Sequence, residues 1–314
     1  MPTGETPDHT AAPEDPPAQP ARSAWWARLV ATVPLPVLYV LAGILGWLAW
    51  RVFPYRQHVV RENLARAFPE LDGAGLSRVM RDYYRGFAEM LVELVKGVSL
   101  PASEFRRRVR IVNLEAARAL LAQGQPVLLV AAHQCNWEWM LLALSLELGY
   151  PLDAAYKPLV DAWAEREMKT LRTRFGSRLV PAKQLLADII SRKDAVRAIA
   201  MVADQEPTTS ERKYWTRFLN RDTAFYMGPE EIARATGFPA FFVAMRRTAR
   251  GYYEMELSPL AGAGAGSAAG DSGALTEAYA RRVEEQIRAA PPDWPWSHKR
   301  WKLKRSIYQN RGGR

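Results

Sequence analysis

The segment His133-Gln134-Cys135-Asn136-Trp137-Glu138 brings an imidazole, a thiol and a carboxylate into one short stretch, and Asp204-Gln205-Glu206 forms a second acidic group further along. Histidine ordinarily titrates near neutrality, so it is the side chain suited to general-base work at physiological pH. Of the four histidines, His9, His58, His133 and His298, the outstanding candidate is His133, which closes a continuous apolar run. Residues five apart on a regular helix point about 140° away from each other. Contact between His133 and Glu138 therefore requires the histidine to sit in the turn before a helix. Glu138 then falls in the first helical turn, where the helix dipole also favours a carboxylate. A carboxylate on one imidazole nitrogen fixes the tautomer and leaves the other to take a proton from an alcohol. The competing reading makes His133 a helix-capping residue and Glu138 part of a solvated face; under either reading Asn136 and Trp137 are buried turn and packing residues. Cys135 as a nucleophile served by His133 is awkward, because the two are so close within a tight turn.

Such a turn needs a strand ahead of it and a helix behind. Pro126 to Ala132 is an uninterrupted apolar run, the pattern of a strand covered on both faces, and Trp137 to Leu148 follows as a helix. Val196 to Val202 repeats the strand pattern and ends at Asp204. Further strands are expected at Val109–Val112, Asp153–Tyr156, Pro239–Met245 and Tyr252–Leu257, the last two as a hairpin. Helices are expected at Asn63–Phe68, Leu76–Val95, Leu114–Leu121, Val160–Phe175 and Thr276–Ala289, and Ala261 to Gly273 reads as a loop. Alternating strands and helices predict an α/β fold with a mostly parallel, mixed sheet covered by helices, and active groups at the carboxyl ends of its strands. No internal repeat is present at solenoid or propeller periods.

The 314 residues allow one large domain or two ordinary ones, and the single cysteine excludes an intramolecular disulfide. A net charge of +10 suits an anionic membrane, an acidic carrier protein, an anionic lipid or nucleic acid. Arg106 to Arg110 and His298 to Arg305 are candidate docking patches, or plain solvated surface. The N-terminus discriminates among these partners. Residues 1–23 read as a Pro-rich, disordered tail, and residues 24–54 as a membrane anchor preceding a domain at 55–314. No charge interrupts Leu29 to Trp50, long enough as a helix to span or embed in a bilayer, although Pro34 and Pro36 disturb its start. A buried core helix is the alternative. Arg51, Arg56, Arg61 and Arg66 outweigh Arg22 and Arg28, which places the later chain on the cytoplasmic side. The eleven tryptophans do not form a basic-aromatic stripe, which argues against a membrane-tethered nucleic-acid binder.

Taken in order, several motifs make the chain resemble the bacterial lipid A late acyltransferases, within the H-x-x-x-x-D/E lysophospholipid acyltransferase superfamily. They are Arg61-Glu62-Asn63-Leu64 through Phe68-Pro69-Glu70, His133 to Glu138, Tyr156-Lys157-Pro158-Leu159, Arg172 to Gly176, Asp204-Gln205 and Trp296 to Lys302. The resemblance implies transfer of a fatty acyl chain from acyl carrier protein, or acyl-CoA, to a lipid hydroxyl at the cytoplasmic face of the inner membrane. It makes His133 the base and Glu138 its partner. It places Asn136, Arg172 or Arg174, and Asp204 among the substrate-binding positions, and implies no metal and no bound organic cofactor. The acceptor it implies is a lipid A precursor; another glycolipid, such as a mannosylated phosphatidylinositol, or a lysolipid is the alternative. A basic, membrane-tethered binding protein is the reading from another class. Cys135 stands where the family usually has glycine, and Phe218-Leu219-Asn220 where it has an aromatic-glycine pattern.

Overall fold

The structure is a computed structural model that describes residues 32–208, 212–262 and 272–305. Its centre is a seven-stranded sheet in the order β1-β9-β8-β2-β5-β3-β4. The strands are β1 (Val109–Val112), β2 (Val127–Ala131), β3 (Leu152–Tyr156), β4 (Arg178–Pro181), β5 (Ala198–Val202), β8 (Ala240–Ala249) and β9 (Tyr252–Pro259). All neighbours run parallel except the β8–β9 hairpin, so the expected mixed, mostly parallel sheet is the one found. A separate antiparallel hairpin, β6 (Lys213–Phe218) and β7 (Arg221–Tyr226), lies outside it.

The sheet is buried on both faces. Along β2, Val127, Leu129 and Ala131 enter one apolar cluster while Leu128 and Val130 enter the other. This is why the strand reads as a continuous apolar run and not as an alternating one. One face is covered by helices α4 (Ala102–Arg108), α5 (Leu114–Ala122) and α6 (Trp137–Glu147). The other takes α2 (Gln57–Ala67), α3 (Gly73–Gly97), α8 (Leu185–Ser191), α9 (Gly228–Thr236) and α10 (Ala274–Ala289). α7 (Ala162–Arg172) joins β3 to β4.

The apolar N-terminal run becomes α1 (Leu35–Arg51), which lies along α3. Leu35, Leu38, Tyr39, Ala42 and Gly46 face the protein. A Cβ at Gly46 would stand 2.8 Å from the carbonyl oxygen of Tyr84, so glycine permits this approach. Val37, Val40, Leu41, Ile44, Leu45 and Trp47 face outward. At 17 residues α1 is about 26 Å long, and among the described residues no helix is long and apolar enough to cross a membrane. The expected tail and the start of the apolar run lie outside the described residues, as does most of the expected loop at 261–273.

Candidate active site

In the parallel register of β2 and β5, Ala131 stands beside Val202, so the residues after each strand emerge side by side. Tyr279 of α10 stitches the two ends together. Its hydroxyl donates to Ala131 O at 2.8 Å and accepts from Ala203 N at 3.3 Å. Just beyond, Asp204 Oδ1 lies 2.6 Å from His133 Nδ1 and accepts from His133 N at 3.1 Å, while Oδ2 accepts from Trp294 Nε1 at 2.9 Å. Burial alone would push the Asp204 carboxyl upward. The His133 charge and the hydrogen bonds from His133 and Trp294 outweigh it and hold the group below the usual aspartate value. In the neutral imidazole this contact puts the proton on Nδ1 and leaves Nε2 as the acceptor. The Gln205 amide nitrogen sits 3.4 Å from Nε2.

The expected His133–Glu138 contact is not what the structure contains. His133 does precede the helix, and Glu138 does occupy the first turn of α6. The carboxylate nevertheless turns to α7, where Arg172 donates to it bidentately through Nε at 2.9 Å and NH2 at 2.6 Å. The partner of the imidazole is Asp204, 71 residues away in sequence. Glu138 reaches the histidine through Trp137, whose Nε1 donates to Glu138 at 3.0 Å and whose ring meets the imidazole edge-on at 5.1 Å.

The turn itself is tightly determined. Gln134 N donates to Ala132 O, and Cys135 N to Asp293 O. Cys135 has φ of 54°, in the left-handed region where glycine is unstrained. That conformation accounts for a glycine preference at this position. The thiol is buried beside Met245 O, and burial drives it well above its ordinary pKa, which disfavours a thiolate nucleophile. Asn136 caps α6 by accepting from Trp139 N at 3.0 Å, and its amide nitrogen donates to buried Glu93 at 2.8 Å. With both ends of the amide engaged inside the protein, Asn136 presents no side-chain group to a substrate. Arg174 donates to Gly97 O and lies over the Phe175 ring at 4.7 Å. Of the two arginines considered for the site, Arg172 is the one bound to Glu138.

Two of the other motifs are tied to each other. Asn63 Nδ2 donates to Trp296 O at 2.9 Å and His298 O at 3.1 Å, joining α2 to the C-terminal segment. Beside Asp204, Arg300 is fully buried and its pKa is pushed down to about 10 by desolvation. Desolvation and the Arg300 charge push His298 down to about 4, so it is uncharged at neutral pH. A small cleft of about 20 Å³ lies against Cys135, Trp137, Phe87 and Trp294, bordering the turn without including His133. Trp294 and Tyr279 escaped sequence reasoning. Trp294 stands two residues before the Trp296 motif, whereas Tyr279 carries no signal beyond its place on an amphipathic helix.

The family model described as bacterial lipid A biosynthesis acyltransferase matches residues 23–303. A lipid A biosynthesis lauroyltransferase of Escherichia coli (strain K12) is 26% identical over 280 residues, covering 88% of this chain and 89% of the relative. A lipid A biosynthesis palmitoleoyltransferase of the same organism is 23% identical over 293 residues, covering 89% and 88%. A lipid A biosynthesis acyltransferase of Shigella flexneri matches to the same extent.

Proposed function

Because the chain belongs to the bacterial lipid A biosynthesis acyltransferase family, we propose that it transfers a fatty acyl group from an acyl carrier protein or acyl-CoA thioester to a hydroxyl of a lipid A precursor, with His133 as base and Asp204 as its orienting carboxylate. The observation that carries this reading is the 2.6 Å contact between His133 Nδ1 and Asp204, which leaves Nε2 free to accept a proton. The acceptor hydroxyl gives its proton to Nε2 as its oxygen attacks the thioester carbonyl. The new C–O bond forms, the C–S bond breaks, and the imidazolium returns the proton to the departing thiolate. Glu138 acts on this centre through Arg172 and Trp137. No cofactor takes part in the proposed reaction.

α1 supports a membrane location. Its outward apolar face, followed by Arg51 and Arg56, fits a helix seated in an anionic lipid surface, with the charges at the headgroups. We place the site at the cytoplasmic face of the inner membrane, where lipid acceptor and acidic carrier meet a basic protein. The test is transfer by the purified chain, read by lipid mass spectrometry, with acyl carrier thioester and a lipid A precursor presented in vesicles. His133→Ala should abolish product. Activity on a mannosylated phosphatidylinositol and none on the lipid A precursor would move the assignment to that acceptor. Leu41→Glu with Ile44→Glu should release the chain from anionic vesicles, and unchanged binding would remove α1 from the membrane contact.

A further inference from the structure

Glu93 is fully buried on α3, and among the described residues no cation is in salt-bridge contact with it. Its carboxylate accepts from three neutral donors on three other elements: Tyr39 OH of α1 at 2.9 Å, Tyr253 OH of β9 at 2.6 Å, and Asn136 Nδ2 at 2.8 Å. Its backbone carbonyl accepts from Trp139 Nε1 at 3.0 Å. Burying a carboxylate without a paired cation is costly, and an apolar side chain would fill the same volume more cheaply. Desolvation accordingly pushes Glu93 above the usual carboxylate range, with Tyr253, Arg247, Asn136 and Tyr39 opposing it. What the carboxyl supplies and an apolar side chain does not is direction. Asn136 is the cap of α6, lying between Cys135 and the pair Trp137–Glu138, so whatever fixes its amide fixes the path from His133 to Glu138. Tyr39 in turn belongs to the helix whose other face is apolar and exposed.

We infer that Glu93 is a positioning residue, one buried carboxyl that locks the turn between His133 and Glu138 to α3, β9 and the apolar helix α1. The inference rests on the acyltransferase reading for its kinetic consequence, and on the Glu93–Asn136 contact for its structural one. Displacing a catalytic group by about 1 Å can cost about 100-fold in rate, so loss of this lock should appear in kcat.

An exchange of roles across the contact tests it in the full chain. Asn136→Asp keeps the acceptor that caps Trp139 but sets two carboxyls against each other. It should lower kcat about 100-fold and leave KM for the acyl carrier thioester within about twofold. Adding Glu93→Gln restores a donor–acceptor pair with the direction reversed. The double variant should recover kcat to within about fivefold of wild type. Glu93→Gln alone can accept from Asn136 and donate to Tyr39, and should retain kcat within about threefold. Amide hydrogen exchange at Cys135 to Trp139 provides a readout independent of activity: faster in Asn136→Asp, restored in the double variant. Wild-type kcat and exchange in Asn136→Asp would overturn the inference, as would a double variant no better than Asn136→Asp in both. A wild-type chain that transfers no acyl group would defeat the acyltransferase reading instead, while the exchange pattern would still decide the contact.

Discussion

Two buried carboxylates flank His133, and they do different things. Asp204 leaves a strand end, is 1% exposed, and its titratable partner is the imidazole itself. Glu138 leaves a helix start, is nearly as buried, and is neutralised by a bidentate arginine. Both are the acidic residue nearest a histidine by some measure: Glu138 along the chain, Asp204 in space. Adjacent parallel strands in register deliver their C-terminal residues to the same place, whereas a helix start points its first-turn side chains according to the turn before it. Here the left-handed Cys135 and the Asn136 cap aim Glu138 at α7.

The difference predicts unequal losses. Asp204→Asn should leave His133 in the wrong tautomer and cut kcat by about 10⁴-fold, measured in the transfer assay with the fold checked by circular dichroism. Glu138→Gln should cost less in rate, about 100-fold, but more in stability, because it strands a part-buried guanidinium. A loss of about 3 kcal/mol is expected by denaturant unfolding. Glu138→Leu with Arg172→Met removes both charges and should regain most of that stability while kcat stays depressed, since Trp137 loses its acceptor. Should Glu138→Gln reduce kcat as far as Asp204→Asn in a chain of wild-type stability, the ranking of the two carboxylates reverses.

The sheet was legible because burial on both faces leaves a plain trace. Val127 to Ala131 and Ala198 to Val202 are continuous apolar runs, each ending in a polar cluster. The β6–β7 hairpin was not, although its turn has a mechanism. Leu219 and Asn220 have φ of 48° and 64°, the two left-handed positions of a two-residue hairpin turn. Leucine in the first of them carries no turn signal, so the sequence gives no hairpin cue there. Asp204 was found as a position, but not as the partner of His133, because five-residue spacing is visible in a sequence and strand register is not. An apolar helix was legible near α1, but neither its 17-residue extent, shorter than the expected run, nor its seating: composition registers an apolar helix, and only packing separates the Leu38–Tyr39–Ala42–Gly46 face from the exposed one.

The surroundings of Asp204 and Glu138 also differ in their response to pH. Beside Asp204, His298 has its pKa held near 4 where an unfolded histidine titrates near 6.5. Between those values the unfolded chain binds the extra proton, so stability falls as pH drops through 6.5 and the loss is complete near 4. After discounting for partial solvent access, the effect is roughly 1–2 kcal/mol. His298→Asn should flatten the melting temperature over this window, whereas Glu138→Gln should lower it by a similar amount at every pH there. An unchanged slope in His298→Asn would mean that the acid sensitivity arises elsewhere.

The smallest effect concerns the turn that separates the two carboxylates. Cys135→Gly removes a side chain from a left-handed conformation, a relief of about 1–2 kcal/mol. It also removes a buried thiol, which costs a similar amount. The two nearly cancel, so the melting temperature should move by no more than about 4 °C. If the backbone path of the turn is what matters, kcat should stay within about twofold, because glycine adopts the same φ without strain and the amide still donates to Asp293 O. A tenfold fall in kcat with an unchanged melting temperature would instead bring the thiol into the chemistry. That outcome would have to be reconciled with a sulfur that is buried against Met245 O and pushed away from ionisation.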